Sequence, residues 1–316
     1  MTHRFTRRRF LTISAAAMTV GSQAPAASTI AEATWRGTAL GAGASMRLLG
    51  LSNADAAPIL AEVEGELARL EDIFSLYRAG SEISRLNETG ALDAPSPDLL
   101  EVLSLSDRLN RATEGAFDPT VQPLFRLYAK SAAAGREPDT SELTRAMAKV
   151  GWHNIAFDAA RVTLGNQAAI TLNGIAQGYI TDRIAALLTR HGLRDILIDM
   201  GEIAARGRRP DGSDWRVAIS QPDGTILRRL HLSDRAMATS APLGTVLDAN
   251  GKTGHIFNAR HGDTAKDFAL ITLSAPSAAL ADGLSTAFCA MPMKSQQNAL
   301  DVFADVRLEA RVKYTT

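Results

Sequence analysis

The chain changes its hydrophobic period about half-way along, and this change constrains the fold more than any other feature. Residues 57–78 carry apolar side chains at helical spacing, and helices are also predicted from about Pro97 to Thr113 and at about 140–149. From residue 154 onward, short β-like runs separated by turns predominate, with helices among them. Helices first and strands afterwards predict an α+β fold, in which helices pack on a mixed, largely antiparallel sheet.

The second half divides further into individual elements. "NIAFD", "RVTLG" and "AITLN" predict a meander, and "WRVAIS" with "TILRRLHLS" predicts a hairpin around Pro222-Asp223-Gly224. "DILIDMG" predicts a fully buried strand, and further strands are predicted in "KTGHIFNAR", "FALITLS" and "VRLEARV". Helices are predicted in "GIAQGYITDRIAALLTRHG", ending at Gly192, and at 277–291 and 294–304.

Neither a repeat nor a long low-complexity linker divides the 316 residues, so residues 27–316 are expected to form a single compact domain. Hydrophobic residues make up 46% of the chain, which is ample for a sizeable core. No run of about 18 apolar residues occurs, so the protein is not expected to span a membrane. Cys289 is the one cysteine, and an internal disulfide is therefore impossible.

The amino terminus has the order of an export signal. "TRRRFLTISAAAMTVG" places a basic region before a short apolar segment, and "SQAPAAS" follows as a small-residue cleavage region. The paired arginines before Phe10-Leu11 predict a twin-arginine signal over residues 1–26, and hence a periplasmic protein. An ordinary Sec signal or a basic arm is the alternative. The remaining chain would carry 30 basic and 34 acidic side chains, a net charge of −4. That balance gives no support for binding to nucleic acid.

The segment "ADGLSTAF", residues 281–288, places polar side chains in an otherwise apolar helix. Asp282 and Thr286 are four residues apart and therefore share one helix face, which Ser285 borders. Carboxylate and hydroxyl oxygens suit Mg²⁺ better than zinc. A solvent-exposed helix face is the alternative. A hydrolase nucleophile elbow in "GLSTA" is disfavoured, because a helix and not a strand precedes it.

Other polar positions have both a structural and a functional interpretation. Asp118, in "GAFDPT", either caps the following turn or contacts a ligand. Gly174 and Gly178 lie at a strand-to-helix junction, where glycines allow close backbone approach and a helix N-terminus can hold phosphate. His255 and His261 lack metal-ligand spacing, and single histidines are more often structural than catalytic.

Six segments occur in an order that resembles the ApbE family of FAD:protein FMN transferases. The resemblance spans roughly residues 40–310, and its segments are "FSLYRAGSEISRLN", "GAFDPTVQPLFRL", "TLNGIAQGYITDRIAALL", "LIDMGEIAARG", "HIFNARHG" and "ADGLSTAF". It implies a T-fold-like α+β architecture. It also implies Mg²⁺-dependent transfer of FMN from FAD to a Thr or Ser hydroxyl of a flavoprotein in the cytoplasmic membrane, with release of AMP.

The resemblance also assigns residues. It places metal ligands at Gly174, Asp282, Ser285 and Thr286. It places His255 as the base that deprotonates the acceptor hydroxyl, a role suited to a group whose pKa is near neutrality. Flavin-nucleotide positions fall on Met46, Tyr77, Ala116, Phe117, Asp118 and Ile256, and Thr171 and Gln177 border the same site.

The chain departs from the family pattern at several positions. Thr171 stands where the family usually has Asp, and Gln177 where it has Lys or Glu. Asn258-Ala259 replaces an Asp-Pro pair, and "ATSAPLG" lacks the glycine that normally follows its serine. A NosX-like branch, associated with nitrous oxide reduction and with a NosR-like membrane acceptor, fits these departures. Two other functions remain open: a periplasmic FAD-binding or delivery protein without transfer, and a Mg²⁺-dependent FAD pyrophosphatase.

Overall fold

The structure is a computed structural model that describes residues 31–221 and 224–314. The predicted export signal and part of the predicted turn at Pro222-Asp223 lie outside the described residues. The described parts contain eight α-helices: α1 (Asn53–Phe74), α2 (Glu82–Thr89), α3 (Pro97–Ala112), α4 (Gln122–Ala133), α5 (Thr140–Met147), α6 (Ala176–Arg190), α7 (Ala278–Ala290) and α8 (Met293–Val302).

The same ranges contain twelve strands. They are β1 (Glu32–Ala39), β2 (Ala42–Leu49), β3 (Ala91–Asp93), β4 (Ile155–Phe157), β5 (Arg161–Leu164), β6 (Ile196–Asp199), β7 (Ile203–Arg206), β8 (Trp215–Ser220), β9 (Ile226–Leu232), β10 (Arg235–Ser240), β11 (Phe268–Ala275) and β12 (Arg307–Lys313). Seven of them form the main sheet, in the order β1-β2-β6-β7-β10-β11-β12. Every strand pairing in the described residues is antiparallel.

Local sequence signals explain where most helices begin. A serine hydroxyl at Ser52, Ser81, Ser96 or Ser277 accepts a hydrogen bond from a backbone N–H in the first turn of α1, α2, α3 or α7. Asp139 and Glu142 form a reciprocal capping box at the start of α5. These caps satisfy N–H groups that have no partner within the helix.

The main sheet has an apolar layer on each face. On one face, α1, α3, α6 and α7 bury the largest core with side chains such as Leu70, Leu103 and Phe288. On the other face, the β8-β9 hairpin covers the sheet with Trp215 and Val217. Burial of these apolar surfaces is the main force that holds the layers together. Within the described residues, no helix is both long and apolar enough to cross a membrane.

Helices α6 and α7 approach each other closely, and this contact positions the site. A Cβ on Gly178 would lie 2.4 Å from the carbonyl oxygen of Ala278, so a larger residue would push α6 away from α7. Asp182 of α6 accepts hydrogen bonds from the backbone N–H groups of Ala278 and Ala279, at 2.8 and 2.9 Å. One helix therefore caps the other through a side chain. Burial raises the pKa of Asp182 to about 6.

The predicted fold class is confirmed, and the differences concern individual elements. Two predicted strands are irregular. "AITLN" is not in a sheet, because Ile170 forms its backbone hydrogen bonds with the side chain of Asn87, at 2.6 and 2.8 Å. "KTGHIFNAR" forms isolated bridges at Gly254 and Phe257 instead of a strand. Strand β5 pairs with β4, as the meander predicts, but its other neighbour is β3 and not "AITLN". Neither the β1-β2 hairpin nor helices α2 and α4 were predicted.

Candidate functional site

A cavity lies between the amino end of α6, the middle of α7 and several loops. Eleven of the thirteen residues predicted for a flavin, metal or catalytic role line this cavity. They are Tyr77, Ala116, Phe117, Asp118, Thr171, Gly174, Gln177, His255, Ile256, Asp282 and Thr286. Because these residues come from segments far apart in the chain, their convergence is a property of the fold.

Met46 and Ser285 do not line the cavity. Met46 belongs to β2 and is 1% exposed in the main core, so its side chain packs against apolar neighbours. Ser285 is fully buried on the sheet-facing side of α7. Its hydroxyl contacts that of Ser240, at 2.7 Å, and donates to the carbonyl oxygen of Asp282. Ser285 is therefore connected to the cavity through Ser240, which lines it.

Asp282 is a buried carboxylate on the cavity wall. It is 4% exposed, which contradicts the alternative of a solvent-exposed helix face. Its Oδ2 accepts a hydrogen bond from the backbone N–H of Gly178, at 3.1 Å. Burial, together with repulsion from the nearby Asp182, raises the pKa of Asp282 to about 7, although the Gly178 hydrogen bond opposes the rise. Such a group would be stabilised by a cation.

Oxygen atoms from three segments surround the Asp282 side of the cavity. The Thr286 hydroxyl lies 3.1 Å from that of Ser240. A Cβ on Gly174 would lie 3.0 Å from the same Thr286 oxygen, which shows how closely the Gly174 backbone approaches α7. Carboxylate, hydroxyl and backbone carbonyl oxygens are the donors that hard cations such as Mg²⁺ prefer.

Glu202 is a residue of this cavity that was not predicted. It follows β6 and Gly201, is 7% exposed, and lines the cavity beside Asp282. The nearby backbone N–H of Thr239 lowers the pKa of its carboxyl group. Its Oε2 is buried without a hydrogen-bond partner among the described residues. Burial, and then repulsion from Asp282 and Asp199, raises the pKa of Glu202 well above its usual value. Its only sequence signal is a glutamate shortly after an apolar strand, which is not distinctive.

These donors fit a Mg²⁺ ion, provided that other ligands complete its shell. The described residues contain no group of three or more His, Cys, Asp and Glu side chains arranged to hold a metal. However, Mg²⁺ in proteins usually keeps several waters and uses one or two carboxylates together with substrate phosphates. The unpartnered Glu202 oxygen and the buried Asp282 carboxylate both indicate a position where positive charge would be stabilised.

Asp118 has a structural role that the sequence allowed. Its Oδ1 accepts from the backbone N–H and the hydroxyl of Thr120, at 2.8 and 2.6 Å, and thereby caps a short 3-10 turn. The nearby backbone N–H of Trp152 also lowers the pKa of this carboxyl group. Burial nevertheless raises the pKa of Asp118, and the residue lines the cavity. Capping and ligand contact are therefore compatible at this position.

The ring of His255 has a defined tautomer. Its Nδ1 lies 3.1 Å from the carbonyl oxygen of Pro242 and 3.2 Å from that of Thr245. Because a carbonyl oxygen can only accept, Nδ1 carries the hydrogen and Nε2 is left with a free lone pair. Burial lowers the pKa of His255, although both carbonyl contacts oppose this effect. The neutral ring can therefore accept a proton at Nε2.

Apolar and aromatic side chains form much of the remaining wall. Phe117, Ile256 and Phe257 are buried along it, whereas Tyr77 is 71% exposed at the cavity. A large exposed aromatic ring beside a cavity offers a stacking surface for a planar ligand. The site thus combines an apolar part, a carboxylate-rich part and a neutral histidine.

The sequence of the chain matches the ApbE family over residues 34–310. An FAD:protein FMN transferase from Haemophilus influenzae is 31% identical over 242 residues, covering 71% of this chain and 70% of that protein. A second one, from Vibrio cholerae, is 29% identical over 249 residues, covering 75% of each chain.

Solved structures agree with this assignment. The flavin transferase ApbE from Vibrio cholerae superposes with a TM-score of 0.79 at 24% identity, over 90% of this chain and 97% of that one. The apo form of the flavinyl transferase ApbE from Pseudomonas stutzeri superposes with a TM-score of 0.76 at 25% identity, over 91% of this chain and 95% of that one. The family match covers most of the chain, and these structures share its fold. The chain therefore belongs to the ApbE family.

Proposed function

We propose that this protein is an FAD:protein FMN transferase. It would move FMN from FAD to a Thr or Ser hydroxyl of a membrane-associated flavoprotein and release AMP. Relatives with this activity in their names support the proposal. The observation that carries it is the convergence of the expected flavin, metal and base positions on one cavity.

The charge of the cavity supports a requirement for Mg²⁺. Asp118, Glu202 and Asp282 line it, whereas none of its described lining residues is Lys or Arg. The diphosphate of FAD would therefore meet carboxylates without a compensating side chain, which is unfavourable. A Mg²⁺ ion held by Gly174, Asp282 and Thr286 would neutralise charge on the phosphate oxygens.

His255 can perform the proton transfer. Its Nε2 lone pair would take the proton of the acceptor hydroxyl, since Nδ1 already donates to Pro242 and Thr245. The hydroxyl oxygen then forms a bond to the phosphorus on the FMN side of the diphosphate. The bond from that phosphorus to the bridging oxygen breaks, and the bridging oxygen leaves as part of AMP.

AMP release from FAD by the protein without its predicted signal tests this proposal. The reaction is run with Mg²⁺, with and without a Thr-containing acceptor domain, and covalent flavin on the acceptor is measured in parallel. We expect AMP and covalent flavin to appear together, and only with acceptor.

The two alternative functions give different results. AMP formed at the same rate without acceptor would identify a pyrophosphatase that uses water. Tight FAD binding without AMP in either reaction would identify a flavin-binding or delivery protein. The departures at Thr171 and Gln177, which both line the cavity, are the reason to test these outcomes.

The cellular setting belongs to the same proposal. Residues 1–26 would direct periplasmic export by the twin-arginine route, leaving residues 27–316 as one domain. The NosX-like branch would have a NosR-like membrane protein as acceptor. Flavin transfer to a NosR-like domain, compared with an unrelated flavoprotein domain, checks this assignment, and equal transfer to both would contradict it.

A further inference from the structure

Glu202 is a buried residue of the cavity wall, and one oxygen of its carboxyl group has no hydrogen-bond partner among the described residues. It is 7% exposed, and no donor among the described residues reaches its Oε2. A buried charged group without a partner is costly, so such groups are paired or bound to metal in most proteins.

The surroundings of Glu202 increase this cost. Asp282 and Asp199 both lie close enough to repel its charge. Asp282 receives one hydrogen bond, from the Gly178 N–H, and the described cavity lining contributes no Lys or Arg. Two carboxylates thus face the same cavity without a protein cation between them. A purely structural glutamate would be expected to have an arginine, lysine or further N–H group at Oε2.

We propose that Glu202 is an additional oxygen ligand, direct or through one water, of a divalent cation held at Asp282. Its position supports this role, because it reaches the cavity from the β6-β7 turn while Asp282 reaches it from α7. Two carboxylates from different elements would balance the charge of one Mg²⁺. The inference rests on the metal site of the proposed function but does not require that FMN transfer occurs.

Cation binding by the FAD-free protein tests this inference directly. Mn²⁺ is the probe, since the spectrum of free aqueous Mn²⁺ measures the unbound fraction, and Mg²⁺ is added as competitor. We expect Glu202→Gln to weaken Mn²⁺ binding by about tenfold or more, the scale on which metal-site partners act. Glu202→Asp, which keeps the charge, should retain part of the affinity.

Thermal unfolding separates ligation from a structural role. Glutamine has nearly the size of glutamate and carries no charge, so metal-free Glu202→Gln should melt at or above the parent temperature. The rise in melting temperature on adding Mg²⁺ should be smaller in this variant. Glu64→Gln is the matched control, because Glu64 accepts from Trp35 Nε1 at 3.0 Å and does not line the cavity. Glu64→Gln should change neither the Mn²⁺ affinity nor the rise in melting temperature on adding Mg²⁺.

Each result has a clear meaning. Unchanged Mn²⁺ affinity in Glu202→Gln, or no Mn²⁺ binding by the parent, would overturn the inference. Unchanged Mn²⁺ affinity with weaker FAD binding would identify Glu202 as a nucleotide contact instead. If the variant weakens Mn²⁺ binding but the parent transfers no FMN, the proposed function fails and this inference stands.

Discussion

At the scale of single residues, backbone carbonyls determine the chemistry of His255. The oxygens of Pro242 and Thr245 hold the hydrogen on Nδ1, which leaves Nε2 as the acceptor. Burial lowers the pKa of the ring, so it is neutral at pH 7. A histidine in this state needs no second side chain to act as a base.

Replacement of His255 should separate catalysis from binding. We expect His255→Gln to lower the rate of FMN transfer by about 10²–10⁴-fold, the usual contribution of a general base. The FAD dissociation constant should change little, because the amide retains a polar group of similar size. Transfer rate and FAD binding are measured on the same preparation. An unchanged transfer rate would remove His255 from the mechanism.

The pKa of His255 also predicts a pH profile. The neutral ring is the active form, and burial lowers its pKa below the ordinary 6.5. At saturating Mg²⁺, transfer should therefore fall on the acid side with a midpoint below pH 6.5. The same shift affects stability, because the unfolded chain binds a proton at His255 more readily than the folded protein does. The free energy of unfolding should therefore increase as pH rises towards 6.5, and this contribution should be lost as pH falls through the lowered pKa. An acid-side midpoint above 6.5 would show that another group controls the rate.

At the scale of elements, the α6-α7 pair holds the carboxylates in place. Gly178 lets the two helices touch, and its N–H binds the Asp282 side chain. Asp182 caps α7 from α6. The contact between the helices is thus also the wall of the cavity, so that packing and binding depend on the same residues.

Gly178→Ala should weaken both the packing of α6 on α7 and the binding of a cation in the cavity. The new Cβ would meet the backbone oxygen of Ala278, and overpacking of this kind costs about 1–3 kcal/mol of unfolding free energy. Cation affinity should fall with it. Gly65→Ala is the control, because a Cβ there meets nothing within 4 Å, and helix propensity predicts a gain of about 0.5–1 kcal/mol. Urea unfolding measures both variants, and equal effects would contradict the packing argument.

At the scale of the whole molecule, the cavity collects acidic side chains although the composition is balanced. The full chain has 34 basic and 34 acidic side chains. The described cavity lining nevertheless has three carboxylates and neither Lys nor Arg. The net charge therefore gives no information about the field that a diphosphate would meet. The position of charges, and not their sum, controls binding here.

This distribution predicts that FAD binding depends on a divalent cation. We expect the FAD dissociation constant to increase by at least about tenfold when Mg²⁺ is replaced by EDTA, since repulsion of the diphosphate is then unscreened. Quenching of flavin fluorescence or calorimetry measures it. Riboflavin, which has no phosphate, is the control and should bind equally in both conditions. Equal FAD affinity with and without Mg²⁺ would contradict this account.

The sequence predicted an element accurately where the residues that form it are close together in the chain. Helices α3 and α7 were predicted closely, because their apolar spacing lies within the helix and their capping residues lie directly before it. "AITLN" was predicted as a strand from composition, but its backbone binds Asn87, which is 83 residues away from Ile170. Short elements such as α2 and β3 carry too few residues for a clear period.

The candidate site was predictable as a set of residues but not as a geometry. The ordered segments predicted Asp282, Thr286 and His255, which all line one cavity, and their roles stay predictions. Glu202 was missed, because a glutamate after a strand has no distinctive pattern. Met46 was assigned to flavin binding, yet its side chain lies in the core, and that role stays a prediction.

The sequence by itself determined the α+β class, the helix caps and the family, because periodicity, capping and ordered motifs are properties of the chain. Only the tertiary structure decided which side chains share the cavity, and how each of them is buried, hydrogen bonded and protonated. The burial of Asp282, the unpartnered oxygen of Glu202 and the tautomer of His255 all depend on contacts between distant segments. Desolvation and hydrogen bonding act through space, so they are determined only once the elements have packed.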